Sequence, residues 1–569
     1  MENKTIARTL RFLSQLMELH EENPFKIKSI ANAYFKVDKL PFALKEKPIE
    51  DIDKIDGIGK GLATKIIELL ETGELKELNE IIARTPEGVV EMLGIKGIGP
   101  KKILIIWKVL GIESIGELYY ACNENRLIEA KGFGLKTQEE IKNVIEFNLA
   151  ANGRFLYAQV EGFANRLFAQ ISEWLITIDN HASLGFAGQY RRACEIIDEL
   201  EFVIGAANLE KVHENLNLFE PLSLIAGEDS FITTTEAGLR VKIFVVEKAD
   251  FYLEWFKQTG NTEHVNKVLQ LAGNGPFADE NEIYSSAGLP FIEPELREDV
   301  EIIERAKANH LPVLIKNDDL KGSLHNHSTW SDGVHTLEQM AVYCKEVLNL
   351  EYFGICDHSK TAVYAKGLNE QRIFGQQQEI DELNKKLAPF KIFKGIESDI
   401  LSDGSLDYSD EILKTFDFVV ASVHSNLRMD EIKATTRLLK AIENPYTTIL
   451  GHPTGRLLLT RAGYPVDYKK IIDACAANGV VIEINANPLR LDLDWRWHRY
   501  ALDKGALLSI NPDAHRTDGF HDTKYGVLVA RKGGLGAEKC LNAFSLSEIS
   551  QYFENRNKKA YEQVKQLGN

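Results

Sequence analysis

Six short runs in the C-terminal half of the chain each end in side chains of the metal-ligating types. No other feature restricts the fold as much. KGSL leads to His325 and His327, with Asp332 following in HNHSTWSDG; YFGIC leads to Asp357 and His358; KIFKGI leads to Glu397; FVVASV leads to His424; TTILG leads to His452; LLSINP leads to Asp513 and His515. Together with VVIEIN these runs alternate with longer amphipathic segments, which predicts repeated βα units and a parallel sheet or barrel. In such folds the C-terminal strand ends form the rim that carries the active site. His325 and His327 are two apart on an expected strand, so their imidazoles share a face. A lone histidine there is ordinarily a satisfied rim or core residue; repetition at strand end after strand end is not. Imidazole mixed with carboxylate suits zinc, manganese or iron better than calcium or magnesium. The nine candidates His325, His327, Asp332, His358, Glu397, His424, His452, Asp513 and His515 exceed the roughly four ligands of one closed zinc site. Several ions are therefore expected, and Glu397 could bridge two of them.

The N-terminal end repeats a different device. IDGIGKGLATKIIELL, LGIKGIGPKKILIIWKVLG and AKGFGLKTQEEIKNVI each set a Gly-x-Gly turn before an expected helix: Gly57 and Gly59, Gly97 and Gly99, Gly132 and Gly134. Glycine permits the positive φ of a tight turn, and the helix start behind it offers free N–H groups to a phosphate. Lys60, Lys65, Lys101, Lys102 and Lys136 add positive charge. A plain helix–helix turn uses the same residues once. Three copies with lysines behind them form the helix-hairpin-helix pattern, which grips the DNA backbone without reading sequence. The net charge of −17 does not exclude this, because the first 150 residues are near balance and binding depends on where the positive charge lies.

Between these ends, residues 150–250 read as α/β and 250–315 as mostly helical. In GQYRRACEIIDELEFVIG, Glu199 and Glu201 are two apart on an expected strand and share one face. Paired carboxylates of this kind are what a two-metal phosphoryl-transfer site needs. At 569 residues the chain should hold about three to four domains. It has no apolar run near the roughly 20 residues of a membrane span, and its start reads as a polar lead into an amphipathic helix rather than a signal peptide. Its six cysteines are scattered without a CxxC pair, which fits a reducing cytoplasm and argues against a disulfide frame or a cysteine zinc site.

HNHSTWSDG, ICDHS, GIESDI, SVHS, GHP, EINANPLRLDL and NPDAH together resemble the metal motifs of the polymerase and histidinol phosphatase (PHP) domain. That resemblance implies a distorted (βα)7 barrel, phosphoester hydrolysis and three divalent ions, manganese or zinc with iron admissible. His325, His327, Glu397 and Asp513 would hold one ion, Asp332, His358 and His515 a second, and Glu397, His424 and His452 a third. The implied catalytic set is His325, His327, Glu397, Asp513 and His515. With the hairpins, GQYRR, TGNTEH and GLPFIEPELRED, the whole chain resembles a bacterial family X DNA polymerase with a C-terminal PHP domain. The implied organisation is multidomain α/β. A helix-hairpin-helix domain covers 1–85, a fingers-like helical domain with two further hairpins 86–150, a nucleotidyltransferase-like palm 151–248, a thumb 249–315 and the PHP barrel 320–569.

The palm departs from the family pattern. Gly188, Arg191 and Arg192 match it, but Gln189 stands at a triphosphate-contacting serine, Asp198 at a glycine, Glu199 and Glu201 at the first two aspartates, and Lys242 at the third. Two metals must sit about 3.5–4 Å apart, so lengthening both anchors is not neutral. Lysine for aspartate changes the local charge by two, and each unit pair at about 4 Å with an effective dielectric near 20 is worth roughly 4 kcal/mol. Lys242 is expected to pair with Glu199 or Glu201 instead, leaving a palm retained as scaffold. Arg191 and Arg192 are open to either a phosphate or a structural role. Lys65 matches a family position for a Schiff-base lysine that removes 5′-deoxyribose phosphate, beside the plainer readings of phosphate contact or solvated lysine. The function expected is a cytoplasmic, metal-dependent DNA nuclease in repair, a 3′→5′ exonuclease acting also on abasic sites or 3′-end phosphoesters. It would act on gapped, nicked or 3′-recessed duplex. The competing readings are an active polymerase/exonuclease, a non-catalytic DNA-end scaffold and a small-molecule phosphatase.

Overall fold

The computed structural model describes residues 1–567 apart from 96, 129, 151–152, 217, 220 and 228–229. It divides into two compact units, Met1–Glu146 and Phe147–Asn569. No helix among the described residues is long and apolar enough to cross a membrane.

The first unit is built from helices whose ends follow local sequence chemistry. Pro24 opens Pro24–Asp38 behind Asn23, whose side chain accepts from the Phe25 and Lys26 amides. Ser114 and Glu117 form a reciprocal cap at the start of Ile115–Asn123. The three expected hairpin turns are present. Gly57, Gly97 and Gly132 have φ of +80°, +99° and +89°, a region that favours glycine. Gly59 and Gly99 directly precede the helices Lys60–Thr72 and Pro100–Leu104, and Gly134 precedes Leu135–Ala150.

The second unit begins with the long helix Tyr157–Ile178, packed on a five-stranded sheet. In spatial order the strands are Ser183–Ala187, Glu199–Ala206, Arg240–Glu247, Phe231–Thr234 and Ile225–Ala226. The central pair is parallel, with Glu199 opposite Arg240 and Glu201 opposite Lys242. A helical region follows, with Phe251–Thr259, Thr262–Ala272, Glu280–Ser286 and Glu301–Lys307 around Phe256, Val268, Tyr284 and Ile303.

The remainder is a nearly closed parallel barrel of seven strands arranged in chain order: Gly322–Ser323, Tyr352–Ile355, Lys391–Asp399, Phe418–Ser422, Ile449–Leu450, Val481–Asn485 and Leu508–Asn511. First and last segments meet at the rim through the His327 amide, which donates to the Ala514 carbonyl at 2.9 Å. The strands are short and apolar because both faces are covered. Phe418–Ser422 and Val481–Asn485 are buried throughout. Ile549 and Phe553 of the C-terminal helix Leu546–Leu567 join Tyr352, Phe393 and Phe418 in the apolar core, with Phe553 stacked on Phe418.

Candidate metal centre and the palm strand

All nine sequence-predicted side chains converge at one rim. Glu397 is at the centre, 1% exposed. Its carboxylate lies 3.3 Å from His325 Nε2, 3.6 Å from His327 Nε2, 2.9 Å from His358 Nδ1 and 3.1 Å from both His424 Nε2 and His452 Nε2. Asp332 lies 3.6 Å from His358 and 3.4 Å from His515, and Asp513 lies 3.1 Å from His327. Three groups bring their donor atoms within 4.8 Å of one another: His327, Asp332, His358 and His515; His325, His327 and Asp513; and His358, Glu397 and His424. His327 also reaches the Asp332 group, and His358, bridged to Glu397 on adjacent parallel segments, joins His424 and His452 around that carboxylate.

The donor set fits divalent metal. Among the described residues, His325 Nε2, His327 Nδ1, Asp332 Oδ2, His358 Nδ1 and Glu397 Oε2 are buried without a well-directed hydrogen bond, although oppositely charged atoms stand close. Leaving such atoms unsatisfied costs about 1–3 kcal/mol each, more when charged, which a cation among them removes. The protonation states agree. Burial, with His515 and His358 nearby, drives the His327 imidazole down to about 3, so it stays neutral with a lone pair to give. Burial works against charge on Glu397 and Asp513. Even so, His424, His325 and His358 hold the Glu397 carboxyl well below its usual range, and His325 and His327 do the same for Asp513. Two of the nine, His452 and Asp513, have φ of +22° and +54°, sparsely populated values that cluster at functional sites.

Sequence reasoning missed the groups that hold these ligands. Glu483, fully buried, accepts from His325 Nδ1 at 2.7 Å and from the His452 amide at 2.7 Å. Asp399 takes His424 Nδ1, and Asn485 Nδ2 donates to Asp513 Oδ2 at 3.0 Å. Asp357 gathers the Ser328 and Ser331 amides and hydroxyls and Gln376, which fixes the HNHSTWSDG loop. Glu483 sits inside VVIEIN and Asp399 two residues after Glu397. A carboxylate in a fully apolar strand was the available signal.

In the sheet, Glu199 and Glu201 share a face as expected, but the expected ion pair does not form. Glu199 pairs with Arg240 at 2.7 Å, because parallel register sets those two side by side. Lys242, opposite Glu201, has its Nζ 4.5 Å from the Phe244 ring centre and makes no ion pair among the described residues. Burial and then Glu199 push the Glu201 carboxyl up to about 7. That carboxylate lies on the turn at Gly188, where an added Cβ would meet Glu201 Oε2 at 1.6 Å. Gln189 and Asp198 hold each other reciprocally, at 2.8 Å through the side chains and 2.7 Å through the Asp198 amide. Arg191 stacks 3.4 Å from the Trp255 ring centre and pairs with Glu280, which also neutralises the fully buried Arg297. Arg192 pairs with Glu298 at 2.9 Å and donates to the Thr259 carbonyl. Both arginines are therefore joints between the sheet and the helices behind it.

At the hairpins, Gly59, Gly97, Gly99, Gly132 and Gly134 face open space. Lys60, Lys101 and Lys136 are exposed and Lys102 is half-buried. Lys65 is half-buried and ion-paired to Glu77.

A helix-hairpin-helix domain family matches residues 1–75, and a SAM-like helix-hairpin-helix tandem matches residues 89–146. The DNA polymerase/3′-5′ exonuclease PolX of Bacillus subtilis (strain 168) is 34% identical over 97% of this chain and 100% of its own length. The chain belongs to the PolX family. Alongside PolX, the C-terminal part is similar to a protein named "Probable phosphatase" from Thermoanaerobacter sp. (strain X514), 28% identical over 31% of this chain and 74% of that protein. A second of the same name, from Acetivibrio thermocellus, is 29% identical over 28% of this chain and 63% of its own length. The hairpin unit marks this PolX-family chain as DNA-binding, and its barrel carries a PHP-type donor set suited to divalent metal.

Proposed function

We propose that this PolX-family chain is a metal-dependent DNA nuclease, cleaving from the 3′ end, whose palm does not polymerise. The observation that carries the nuclease part is the convergence of six imidazoles and three carboxylates on one buried rim, with donor atoms left unsatisfied by the protein itself. Divalent ions held there would supply Lewis-acid activation of water and of the phosphate. Around them the chain's own residues do the positioning. Glu397 and Asp513 stay ionised to attract the cations. His327 stays neutral. Glu483 and Asp399 fix the ring orientations of His325 and His424, the usual role of a carboxylate behind a metal-binding imidazole. Three ions, manganese or zinc, suit the three donor groups. The hairpin turns, open at their glycines and followed by exposed lysines, suit the backbone of gapped, nicked or 3′-recessed duplex. A cytoplasmic site of action fits the unpaired cysteines.

The palm half rests on Lys242, the Gln189–Asp198 clamp and the Glu201 carboxyl lying over Gly188. Each fills with protein a position that the family pattern gives to metal or nucleotide. The name of the B. subtilis relative favours the other reading, an active polymerase/exonuclease. One experiment separates them: a labelled 3′-recessed duplex incubated with protein and Mn²⁺, with and without nucleotides, beside a His325→Ala/His327→Ala variant. Shortening that the double substitution abolishes is the expected result. Shortening that ignores it removes the nuclease assignment to this rim, and lengthening that depends on Glu199 and Glu201 restores the polymerase. For Lys65, the ion pair with Glu77 engages the nitrogen that a Schiff base requires to be free for attack. Borohydride trapping on an abasic substrate is expected to be negative.

A further inference from the structure

We propose that Glu298 is a positioning residue for the metal centre: through Lys532 it fixes the helix Thr523–Lys532 and, with that helix, the loop that carries Asp513 and His515. The inference rests on the metal-centre reading above and adds that residues outside the barrel keep the ligand set in shape.

The ligand loop joins this helix almost directly. His515 is followed by the 3₁₀ turn Thr517–Asp522, and the helix starts at Thr523. At about 1.5 Å per residue it is a rod roughly 15 Å long, with the ligand loop at one end and Lys532 at the other. Its middle is pressed against the barrel. A Cβ added at Gly526 would stand 2.6 Å from both Ala486 Cβ and Ile510 Cγ2, so helix backbone packs against the strand Leu508–Asn511 and the end of Val481–Asn485. Asn485, next to Ala486, is the residue whose side-chain amide donates to Asp513 Oδ2. A shift of the rod therefore reaches Asp513 by two routes, along the chain and through Asn485.

The ends of the rod are fixed from outside the barrel. The helix reads TKYGVLVARK, and its four charged or phenolic side chains all end on glutamates of the preceding regions. Lys524 and Tyr525 reach Glu161 on the helix Tyr157–Ile178 at 2.6 and 2.8 Å. Arg531 Nε donates to Glu295 at 2.7 Å. Lys532 Nζ pairs with Glu298 and donates to the Arg192 carbonyl at 3.1 Å. Glu298 accepts in turn from Arg192 Nε at 2.9 Å. Lys532 is 1% exposed, and a buried charge stripped of its partner is strongly disfavoured, so Glu298 dictates where this end of the rod lies. Asp513 needs such restraint. Its φ of +54° is a sparsely populated value that persists only where the surroundings over-determine it, and a metal site loses function when its ligands stray by about 0.5 Å.

The test takes the full-length protein, Lys532→Met, Glu298→Gln and the double variant. Mn²⁺ is titrated calorimetrically into each at a temperature where denaturant unfolding shows it fully folded. Lys532→Met keeps the buried stem and removes the ammonium. Glu298→Gln is the milder change, since an amide oxygen still accepts from Lys532 and Arg192, and it carries the test alone if Lys532→Met does not fold. Each single substitution should weaken Mn²⁺ binding about 2- to 30-fold. The double variant should bind no more weakly than the worse single, as expected of two residues that act as one unit. Variants that lose stability but keep the parent's Mn²⁺ affinity would assign the pair a purely structural role and overturn the inference, as would losses that add in the double variant. A parent that takes up no Mn²⁺ would sink the metal-centre reading and this inference with it; a parent that binds Mn²⁺ just as its variants do would sink this inference alone.

Discussion

Replacing Glu201 by glutamine should make the protein more stable at alkaline pH. The carboxyl titrates at about 7 in the fold against an ordinary 4.5, raised by burial and by Glu199 beside it. The fold therefore holds a proton that the unfolded chain has released between those two values. Above pH 7 the folded chain must carry the charge in a place that disfavours it. At about 1.4 kcal/mol per pH unit the gap of 7 less 4.5 is worth about 3.5 kcal/mol at most. Stability from this group is thus fullest below pH 4.5 and is lost as pH rises through 7. Glutamine keeps the shape and removes the titration. Glu201→Gln should exceed the parent by about 1–3 kcal/mol at pH 8.5 and match it near pH 5, read from denaturant unfolding at both values. Adding Mn²⁺ should leave the difference between the two proteins unchanged, since the barrel centre is common to both. A variant less stable than the parent at pH 8.5 would refute the burial argument. A Mn²⁺ effect seen in the parent alone would show metal at the palm strand and overturn its reading as scaffold.

Three further outcomes follow from the geometry. Glu483→Gln weakens the acceptor of His325 Nδ1 and of the His452 amide and should lower Mn²⁺ affinity about 10- to 100-fold by calorimetry with the barrel still folded. Lys101→Ala combined with Lys136→Ala removes two exposed charges behind hairpin turns. It should flatten the log–log salt dependence of duplex binding by about 0.9 for each lost phosphate contact, measured by anisotropy. Arg297→Leu leaves Glu280 with Arg191 as its remaining ion-pair partner; the broken buried pair should cost about 3 kcal/mol in unfolding stability.

The barrel was readable because each strand is covered on both faces and so appears as an uninterrupted apolar run. FVVAS and VIEIN coincide with strands buried throughout. The ligands were readable because the chain places them at the ends of those runs. Contacts across the barrel or across strand register could not be read this way. Nothing local says that Glu483 faces His325, 158 positions away, or that His358 comes alongside His424 and His452 at Glu397. The Glu199–Arg240 pair follows from the register of two parallel strands, a fact settled by packing over the whole sheet. Lys65 and Glu77 meet only when two helices close on each other.

Lys532, 1% exposed on the barrel, ends on Glu298 and the Arg192 carbonyl, while Glu195 receives Trp495 and Arg496 at 3.0 Å each and Glu161 receives Lys524 and Tyr525. The barrel thus leans on the very segment that a nucleotide-incorporating enzyme would need. Drift at 199, 201 or 242 leaves that support intact, whereas drift at 192, 195 or 298 would loosen the barrel. The sheet in this way stands as a wall behind the barrel, whatever chemistry its own strands carry.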